Sequence, residues 1–204
     1  MYRIRIFLFL FLCASASCSK QSSPTINATQ TASTKDLSNS TAAYRTYIIK
    51  KGSNYCSPNP FRLTTKSTLR FNAIFDSTCI YKNVDSLNQK DINKLYGFSD
   101  CGSQHLVNSA RVGWRWYNNE LQLFAFVHND GEILPETSMG TAPIGSIINC
   151  RITCKPDVYE FEVNGLIKTL PRHCSGAYTR YILNPYFGGD EPSPQYIKIL
   201  LNQL

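Results

Sequence analysis

Residues 44–204 predict an all-β domain built as an antiparallel β-sandwich or jelly roll. Short runs rich in Val, Ile, Phe and Tyr recur along this stretch, and turn residues separate them. Asn-Gly and Asn-Asn pairs between alternating strands are typical of two-residue hairpin turns. Roughly nine short strands at regular intervals indicate two packed antiparallel sheets.

The strands are predicted from the apolar runs, taken in chain order. They cover 45–50, 67–76, 108–117, 120–128, 145–154, 158–163, 166–170, 178–184 and 195–201. Predicted turns lie at 118–119, 129–131, 155–157 and 164–165.

At most one short helix is expected, near residues 84–99. Leu87, Ile92 and Leu95 recur there at near-helical spacing, whereas the rest of the domain shows strand-like alternation.

The hairpin formed by 108–117 and 120–128 has two faces of different character. If Asn118-Asn119 is a two-residue turn, Trp116 faces Leu121 and the pairing continues outwards from there. One face is then uniformly apolar and belongs to the core. It pairs Trp116 with Leu121, Trp114 with Leu123, Val112 with Ala125, and Ala110 with Val127.

The opposite face of this hairpin combines aromatic rings with planar hydrogen-bonding groups. Rings can cover the apolar C–H face of a sugar, and guanidinium or amide groups can bond its hydroxyls or carboxylates. We therefore predict a glycan-binding face. In the alternative, a loop covers Phe124 and Phe126 and the arginines lie at its rim. The predicted ligand-binding residues are Arg111, Arg115, Gln122, Phe124, Phe126 and His128.

The N-terminus predicts export and lipid anchoring. Arg3 and Arg5 precede the apolar run 6–12, and small residues then lead to Cys18. This arrangement resembles a bacterial lipoprotein signal, which implies a signal peptide over 1–17 and palmitate-type lipidation of Cys18 at the outer membrane. In the alternative, ordinary cleavage near Ser17 leaves Cys18 as a plain thiol.

Residues 18–43 are expected to form a flexible tether. They are almost all Ser, Thr, Asn, Gln, Lys and Ala, a composition that buries too little apolar surface to offset the entropy of ordering. The whole chain carries a net charge of +7 without a Lys/Arg stripe, which argues against a nucleic-acid partner. The expected partners are a glycan and, through the lipid, a membrane.

Six cysteines fall within the domain, and their even number in an exported protein favours disulfides with fifteen pairings open. Cys150 and Cys154 are expected not to pair with each other, because four strand residues separate their Cα atoms by about 13 Å. A Zn site from Cys150, Cys154, Cys174 and His173 is an alternative that no ligand-spacing motif supports. The six are Cys56, Cys79, Cys101, Cys150, Cys154 and Cys174.

No cofactor or metal is expected from the motifs. A structural Ca²⁺ is the one ion kept open, because carboxylate oxygens are its preferred ligands. The acidic residues considered for it are Asp100, Asp130, Asp190 and Glu191.

Two segments resemble a known group of proteins. They are KDINKLYGFSDCGSQHLVNSARVGWRW at 90–116 and YILNPYFGGDEPSPQYIKILL at 181–201. They are similar to exported bacterial proteins with a concanavalin A-like lectin/glucanase sandwich, a group that includes lectins, glucanases and alginate-lyase-type polysaccharide lyases. The resemblance implies this fold for nearly all of 44–204.

The lyase members imply specific residues. Their Arg-x-Glu-x-Arg strand grips a substrate carboxylate, and here Arg111 and Arg115 keep the spacing while Gly113 replaces the glutamate. Their Gln-x-His triplet has only Gln104-His105 as a counterpart. For a lyase, the implied catalytic residues are His105, Arg111 and Tyr186.

A glucanase would need two glutamates on one strand. Glu160 and Glu162 in VYEFEV are spaced that way, but their flanking residues differ from a glucanase motif. We interpret them as exposed strand carboxylates.

Three functions follow, in order of expectation. The first is a non-catalytic glycan-binding lipoprotein. The second is a polysaccharide lyase or hydrolase with a degenerate motif, so enzymatic activity is not the leading expectation. The third is a structural envelope protein that uses the Phe124/Phe126 face as an interface.

Overall fold

The computed structural model describes residues 44–204 and confirms the all-β prediction. The predicted signal peptide, the tether and Cys18 lie outside the described residues. Two antiparallel sheets of seven strands each enclose a shared core. Within 44–204, no helix is long and apolar enough to span a membrane.

The first sheet has the strand order β12-β11-β10-β4-β14-β1-β2, with every neighbouring pair antiparallel. Its strands are β1 (Arg45–Ile49), β2 (Cys56–Ser57), β4 (Thr68–Phe75), β10 (Ile148–Cys154), β11 (Val158–Val163), β12 (Leu166–Pro171) and β14 (Ile197–Gln203).

The second sheet has the order β3-β13-β5-β6-β7-β8, and β9 pairs with β7 on the same edge as β8. Its strands are β3 (Leu63–Thr64), β5 (Asn93–Ser99), β6 (Ser109–Tyr117), β7 (Glu120–Asn129), β8 (Glu132–Ile133), β9 (Thr137–Ala142) and β13 (Arg180–Leu183).

The segment near 84–99, the one place where a short helix was expected, is divided between a short 3-10 helix and a strand. The 3-10 helix at Ser86–Lys90 is followed, after Asp91 and Ile92, by strand β5, which lies between β13 and β6. Leu87 is 82 % exposed and contributes nothing to the core, whereas Leu95 is buried in the strand. The near-helical spacing therefore joined residues of two different elements. Because β5 is covered on both faces, it lacks the polar–apolar alternation that identifies a half-buried strand.

The register predicted for the β6–β7 hairpin is confirmed pair by pair. Asn118 and Asn119 have φ values of 52° and 62°, as a two-residue type I′ turn requires. Trp114 is fully buried, and Trp116 at the open end of the hairpin is only partly buried. The two faces of this hairpin are therefore assigned as expected.

Trp114 lies at the centre of the core between the sheets. Its ring centroid is 5.0 Å from that of Phe75 on the first sheet, 5.8 Å from Tyr81 and 6.3 Å from Phe187. These contacts join the two sheets to the β4–β5 connection, which carries Tyr81, and to the β13–β14 connection, which carries Phe187. Because this face of the hairpin packs in the core, the other face points outwards.

A buried carboxylate fastens one end of the sandwich. Asp100 accepts hydrogen bonds from Arg172 Nε at 2.6 Å, from Arg180 Nε at 2.7 Å and from the Tyr159 hydroxyl at 3.1 Å. Since Tyr159 belongs to the first sheet and Arg180 to the second, Asp100 ties the sheets together.

Fewer cysteines form disulfides than their even number suggested. One disulfide joins Cys101 to Cys174, with Cα atoms 5.7 Å apart. Because Cys174 is in a disulfide, the alternative Zn site loses one of its ligands. The remaining cysteines of the described residues are thiols, and Cys150 and Cys154 do not pair, as expected. Cys56, Cys79 and Cys150 are buried, and Cys154 is half-buried.

Candidate functional site

A cavity of about 610 Å³ opens on the face of the second sheet that points away from the core. Among the described residues that line it, none is an aspartate or a glutamate. The polar side chains that line it are Tyr55, Asn59, Lys94, His105, Arg111, His128, Tyr181, Asn184 and Tyr186.

Strand alternation places most of these groups. Arg111 on β6 and His128 on β7 share the face opposite the Trp114 side of the hairpin. Lys94 on β5 pairs with Tyr186 through two backbone hydrogen bonds, which brings the segment after β13 beside the cavity. Tyr181 lies on β13, and His105 belongs to the loop between β5 and β6.

Arg111 is a buried guanidinium without an acidic partner among the described residues. Its Nη2 donates to the Asn184 carbonyl oxygen at 3.1 Å, and its Nε has no hydrogen-bond partner. Burial lowers the pKa of Arg111 to about 10, so the group remains cationic at neutral pH. The side chain thus retains unused hydrogen-bonding capacity beside the cavity.

Lys94 is the second cation of the cavity. Its Nζ donates to the Gly188 carbonyl oxygen at 2.9 Å and lies 4.7 Å from the centroid of the Phe126 ring. Burial, together with the nearby charge of Arg111, lowers the pKa of Lys94 to about 8. Two cations that repel each other therefore face one cavity.

Both histidines of the cavity are neutral at pH 7. Burial and then the charges of Arg111 and Lys94 lower the pKa of His128 to about 4, and burial and Arg111 lower that of His105. His105 Nδ1 lies 3.1 Å from the Tyr181 hydroxyl. A neutral imidazole can exchange hydrogen bonds with a sugar hydroxyl or accept a proton.

The other half of the predicted face is closed. Arg115 forms two hydrogen bonds to the Glu136 carboxylate at 2.7 and 3.1 Å, and its Nε donates to Gln122 Oε1 at 2.8 Å. Its guanidinium carbon is 4.7 Å from the centroid of the Phe124 ring, and Nη1 also donates to the Lys90 carbonyl oxygen. Arg115, Gln122 and Phe124 do not line the cavity.

Ile92 separates the two halves of the face. A Cβ atom at Gly113 would lie 2.5 Å from Cγ2 of Ile92. Because such an approach is closer than atoms allow, the Ile92 side chain occupies the space that a residue-113 side chain would need. The glutamate that lyase-type motifs carry at this position would not fit without moving Ile92.

The three residues named for a lyase come together. His105, Arg111 and Tyr186 all line the cavity, as do Phe126 and His128 from the predicted binding face. Sequence reasoning missed Lys94, because the predicted helix included it, and it left Tyr181, a loose match to the Tyr-rich motif of the lyases, out of the site. The ligand-binding role of these residues stays a prediction.

The acidic residues of interest in the sequence lie elsewhere. Glu160 and Glu162 form ion pairs with Arg151 and Lys155 on the first sheet. The expected exposure of these two carboxylates is corrected by the structure, because the ion pairs leave 15 % of the Glu160 side chain and 33 % of the Glu162 side chain accessible.

The four acidic residues considered for Ca²⁺ do not cluster within 44–204. Asp100 binds the two buried arginines, and Asp130 lies in the β7–β8 turn. The Glu191 carboxylate accepts hydrogen bonds from the backbone N–H groups of Val84 and Asp85. The fold thus uses Asp100 and Glu191 to hold neighbouring segments in place.

Comparison with known proteins supports the fold. No protein-family model matches the chain, and no curated protein matches its sequence. The chain is similar in structure to the alginate lyase AlyC3, with a TM-score of 0.54 and 12 % identity over 80 % of this chain and 74 % of that one. An alginate lyase from Alteromonas sp. 272 gives a TM-score of 0.50 and 9 % identity over 79 % and 86 % of the two chains. These likenesses show a concanavalin A-like sandwich.

Proposed function

We propose that this domain binds an acidic polysaccharide in the cavity, with the carboxylate of a uronate unit at Arg111. The observation that carries the proposal is a buried guanidinium with an unsatisfied Nε, beside a cavity whose described lining contains two cations and no acid.

An unpaired buried charge lowers stability, so its presence calls for a compensating role. A planar guanidinium can donate two parallel hydrogen bonds to a carboxylate, and Lys94 would add a second positive charge. The neutral histidines and tyrosine hydroxyls around these cations suit sugar hydroxyls. Both solved structures cited above are alginate lyases, which supports a glycan as the ligand.

The cell envelope is the proposed location. The basic, apolar and small residues before Cys18 support lipid anchoring there, with 18–43 as the spacer to the binding domain. Palmitate labelling and detergent-phase partitioning of the full chain test this part. Cys18→Ala should abolish both, and a variant that fractionates like the wild type would contradict it.

Retention on an immobilised uronate polymer tests the binding proposal. Arg111→Met should weaken retention at least tenfold, because it removes the charge and keeps much of the side-chain volume. Arg70→Gln is the matched control, since Arg70 is an exposed arginine of the first sheet. A column of neutral polysaccharide should retain neither the wild type nor Arg111→Met. Equal retention of these two proteins on the uronate polymer would refute the proposal.

A second candidate is a polysaccharide lyase that acts by β-elimination. The observation that favours it is that His105, Arg111 and Tyr186 line one cavity. Arg111 would neutralise the uronate carboxylate, and the neutral imidazole of His105 would take the proton from the carbon next to that carboxylate. The C–O bond to the next sugar would then break as a C=C bond forms, and the Tyr186 hydroxyl would protonate the departing oxygen.

The appearance of unsaturated uronate ends distinguishes this candidate from simple binding. An active wild type and an inactive but still retained Tyr186→Phe variant would establish the lyase. Retention of the polymer without new unsaturated ends would leave the binding function alone.

A further inference from the structure

Phe61 is an exposed aromatic ring at the rim of the cavity. Its side chain is 75 % exposed, and its ring stacks on that of Tyr181 with centroids 5.9 Å apart and an interplanar angle of 28°. Single exposed apolar residues are common on protein surfaces. This one differs because its neighbour Tyr181 lines the cavity and hydrogen-bonds His105.

The backbone on both sides of Phe61 is fixed. Asn184 Nδ2 donates to Asn59 Oδ1 at 2.9 Å and to the Pro60 carbonyl oxygen at 3.0 Å. Directly after Phe61, the Arg62 carbonyl oxygen accepts a hydrogen bond from the Ile182 amide at 2.8 Å. The ring is therefore presented from a preorganised segment, which reduces the entropic cost of binding against it.

The same asparagine also holds the cation of the site. The Asn184 carbonyl oxygen accepts the hydrogen bond from Arg111 Nη2 at 3.1 Å, while its side chain holds the segment before Phe61. Asn184 thus links the aromatic ring and the guanidinium into one constellation.

The backbones that carry Phe61 and Arg111 are several strands apart. Phe61 lies two residues before β3, and Arg111 lies on β6, with β13 and β5 between them. Three strand spacings separate these backbones by about 14 Å. Both side chains line the same cavity, so successive units of a sugar chain can lie beside them.

We propose that Phe61 forms a second subsite of this cavity, on which the apolar C–H face of one sugar unit stacks while another unit places its carboxylate at Arg111. The proposal rests on the function proposed above and specifies its ligand as a chain of several sugar units. Aromatic stacking against an apolar ring face supplies the attraction at Phe61, and charge supplies it at Arg111.

Calorimetric titration of the full chain with sodium glucuronate and with linear uronate oligosaccharides of increasing length tests the proposal. The wild type should bind the longer oligosaccharides more tightly than the single sugar. Phe61→Ala should weaken oligosaccharide binding about tenfold and leave single-sugar binding unchanged, because the stacking contact alone is lost. Phe61→Trp should retain the affinity, and Arg111→Met should lose binding at every length.

Tyr196→Ala is the matched control, because Tyr196 is an exposed aromatic residue outside the cavity lining. It should bind every ligand like the wild type, and thermal unfolding should show all variants folded. If the wild type binds and Phe61→Ala binds oligosaccharides equally well, the second subsite is refuted and the proposed function stands. If the wild type binds no uronate at any length, the proposed function fails and the subsite fails with it.

Discussion

Arg111 and Arg115 lie four residues apart on one face of strand β6, yet their surroundings differ completely. Arg115 is saturated by the Glu136 carboxylate, the Gln122 amide and a backbone carbonyl. Arg111 has one backbone acceptor, an unsatisfied Nε and no acidic partner among the described residues. The Ile92 side chain, packed over Gly113, divides the two environments.

The difference shows how one sheet face can serve stability and binding separately. A guanidinium that serves the fold is paired, because an unpaired one costs free energy. A guanidinium kept for a charged ligand has to remain unpaired in the free protein, and its cost is recovered only on binding. The paired half holds the β7–β9 edge in place, and the unpaired half faces the cavity.

Replacement of Trp114 in the core should destabilise the Arg111 half and the Arg115 half of the hairpin face together. Trp114 contacts residues of both sheets, and Trp114→Ala should lower the free energy of unfolding by about 4 kcal/mol, because it leaves a large cavity. Urea denaturation measures this loss. A loss below about 1 kcal/mol would mean that the hairpin does not depend on this core.

Removal of the paired arginine should affect the fold and spare the ligand. Arg115→Met should lower the free energy of unfolding by about 2 kcal/mol, because the hydrogen bonds to Gln122 and a carbonyl are lost and Glu136, itself half-exposed, can be hydrated. Uronate retention at a temperature where the variant is folded should match the wild type. Reduced retention by the folded variant would break the proposed division of roles.

Removal of the unpaired arginine should give the opposite result. Arg111→Met should leave the free energy of unfolding unchanged or raise it by about 1 kcal/mol, because an uncompensated buried charge is replaced by an apolar chain. Chemical denaturation without ligand measures this. A loss above about 2 kcal/mol would place Arg111 in a structural role like that of Arg115.

The charge of Lys94 should make binding depend on pH. Because its folded pKa is about 8, Lys94 loses its proton as the pH rises through that value, and uronate affinity should fall there. His105 and His128 are already neutral at pH 7 and Arg111 remains charged, so they do not account for a change near pH 8. In Lys94→Met, affinity should be lower at pH 7 and nearly flat through pH 8, and a pH profile that matches the wild type would exclude Lys94 as the cause.

Lys94 should also make the stability of the ligand-free protein depend on pH. The pKa of Lys94 falls from its ordinary 10.5 to about 8 on folding, so the unfolded state binds more protons between these values. The ligand-free wild type should therefore gain stability relative to Lys94→Met as the pH rises from 8 to 10.5. Denaturation of both proteins at several pH values measures this. If the free energy of unfolding changes with pH equally in the two proteins, the burial of Lys94 is contradicted.

Local sequence patterns were enough to predict the hairpin and the sandwich. The alternation along both strands and the Asn118-Asn119 turn set the β6–β7 register, because a shift of one residue would have moved the apolar residues from the core to the opposite face. The same alternation placed Arg111, Phe126 and His128 together on the outward face. Local patterns of this kind suffice where the two faces of a strand differ in polarity, even though both faces of β6 and β7 are largely buried.

Which of the two arginines is paired depends on contacts between segments that are distant in the sequence. Glu136 reaches Arg115 from the connection between β8 and β9, and Ile92 reaches Gly113 from the segment before β5, and neither contact follows from local spacing. Strand β5 itself was hidden, because burial on both faces removes the alternation on which a strand prediction depends. Lys94 and Tyr181 entered the site for the same reason: pairing between strands distant in sequence brings them there, and the pairing depends on packing of the whole domain.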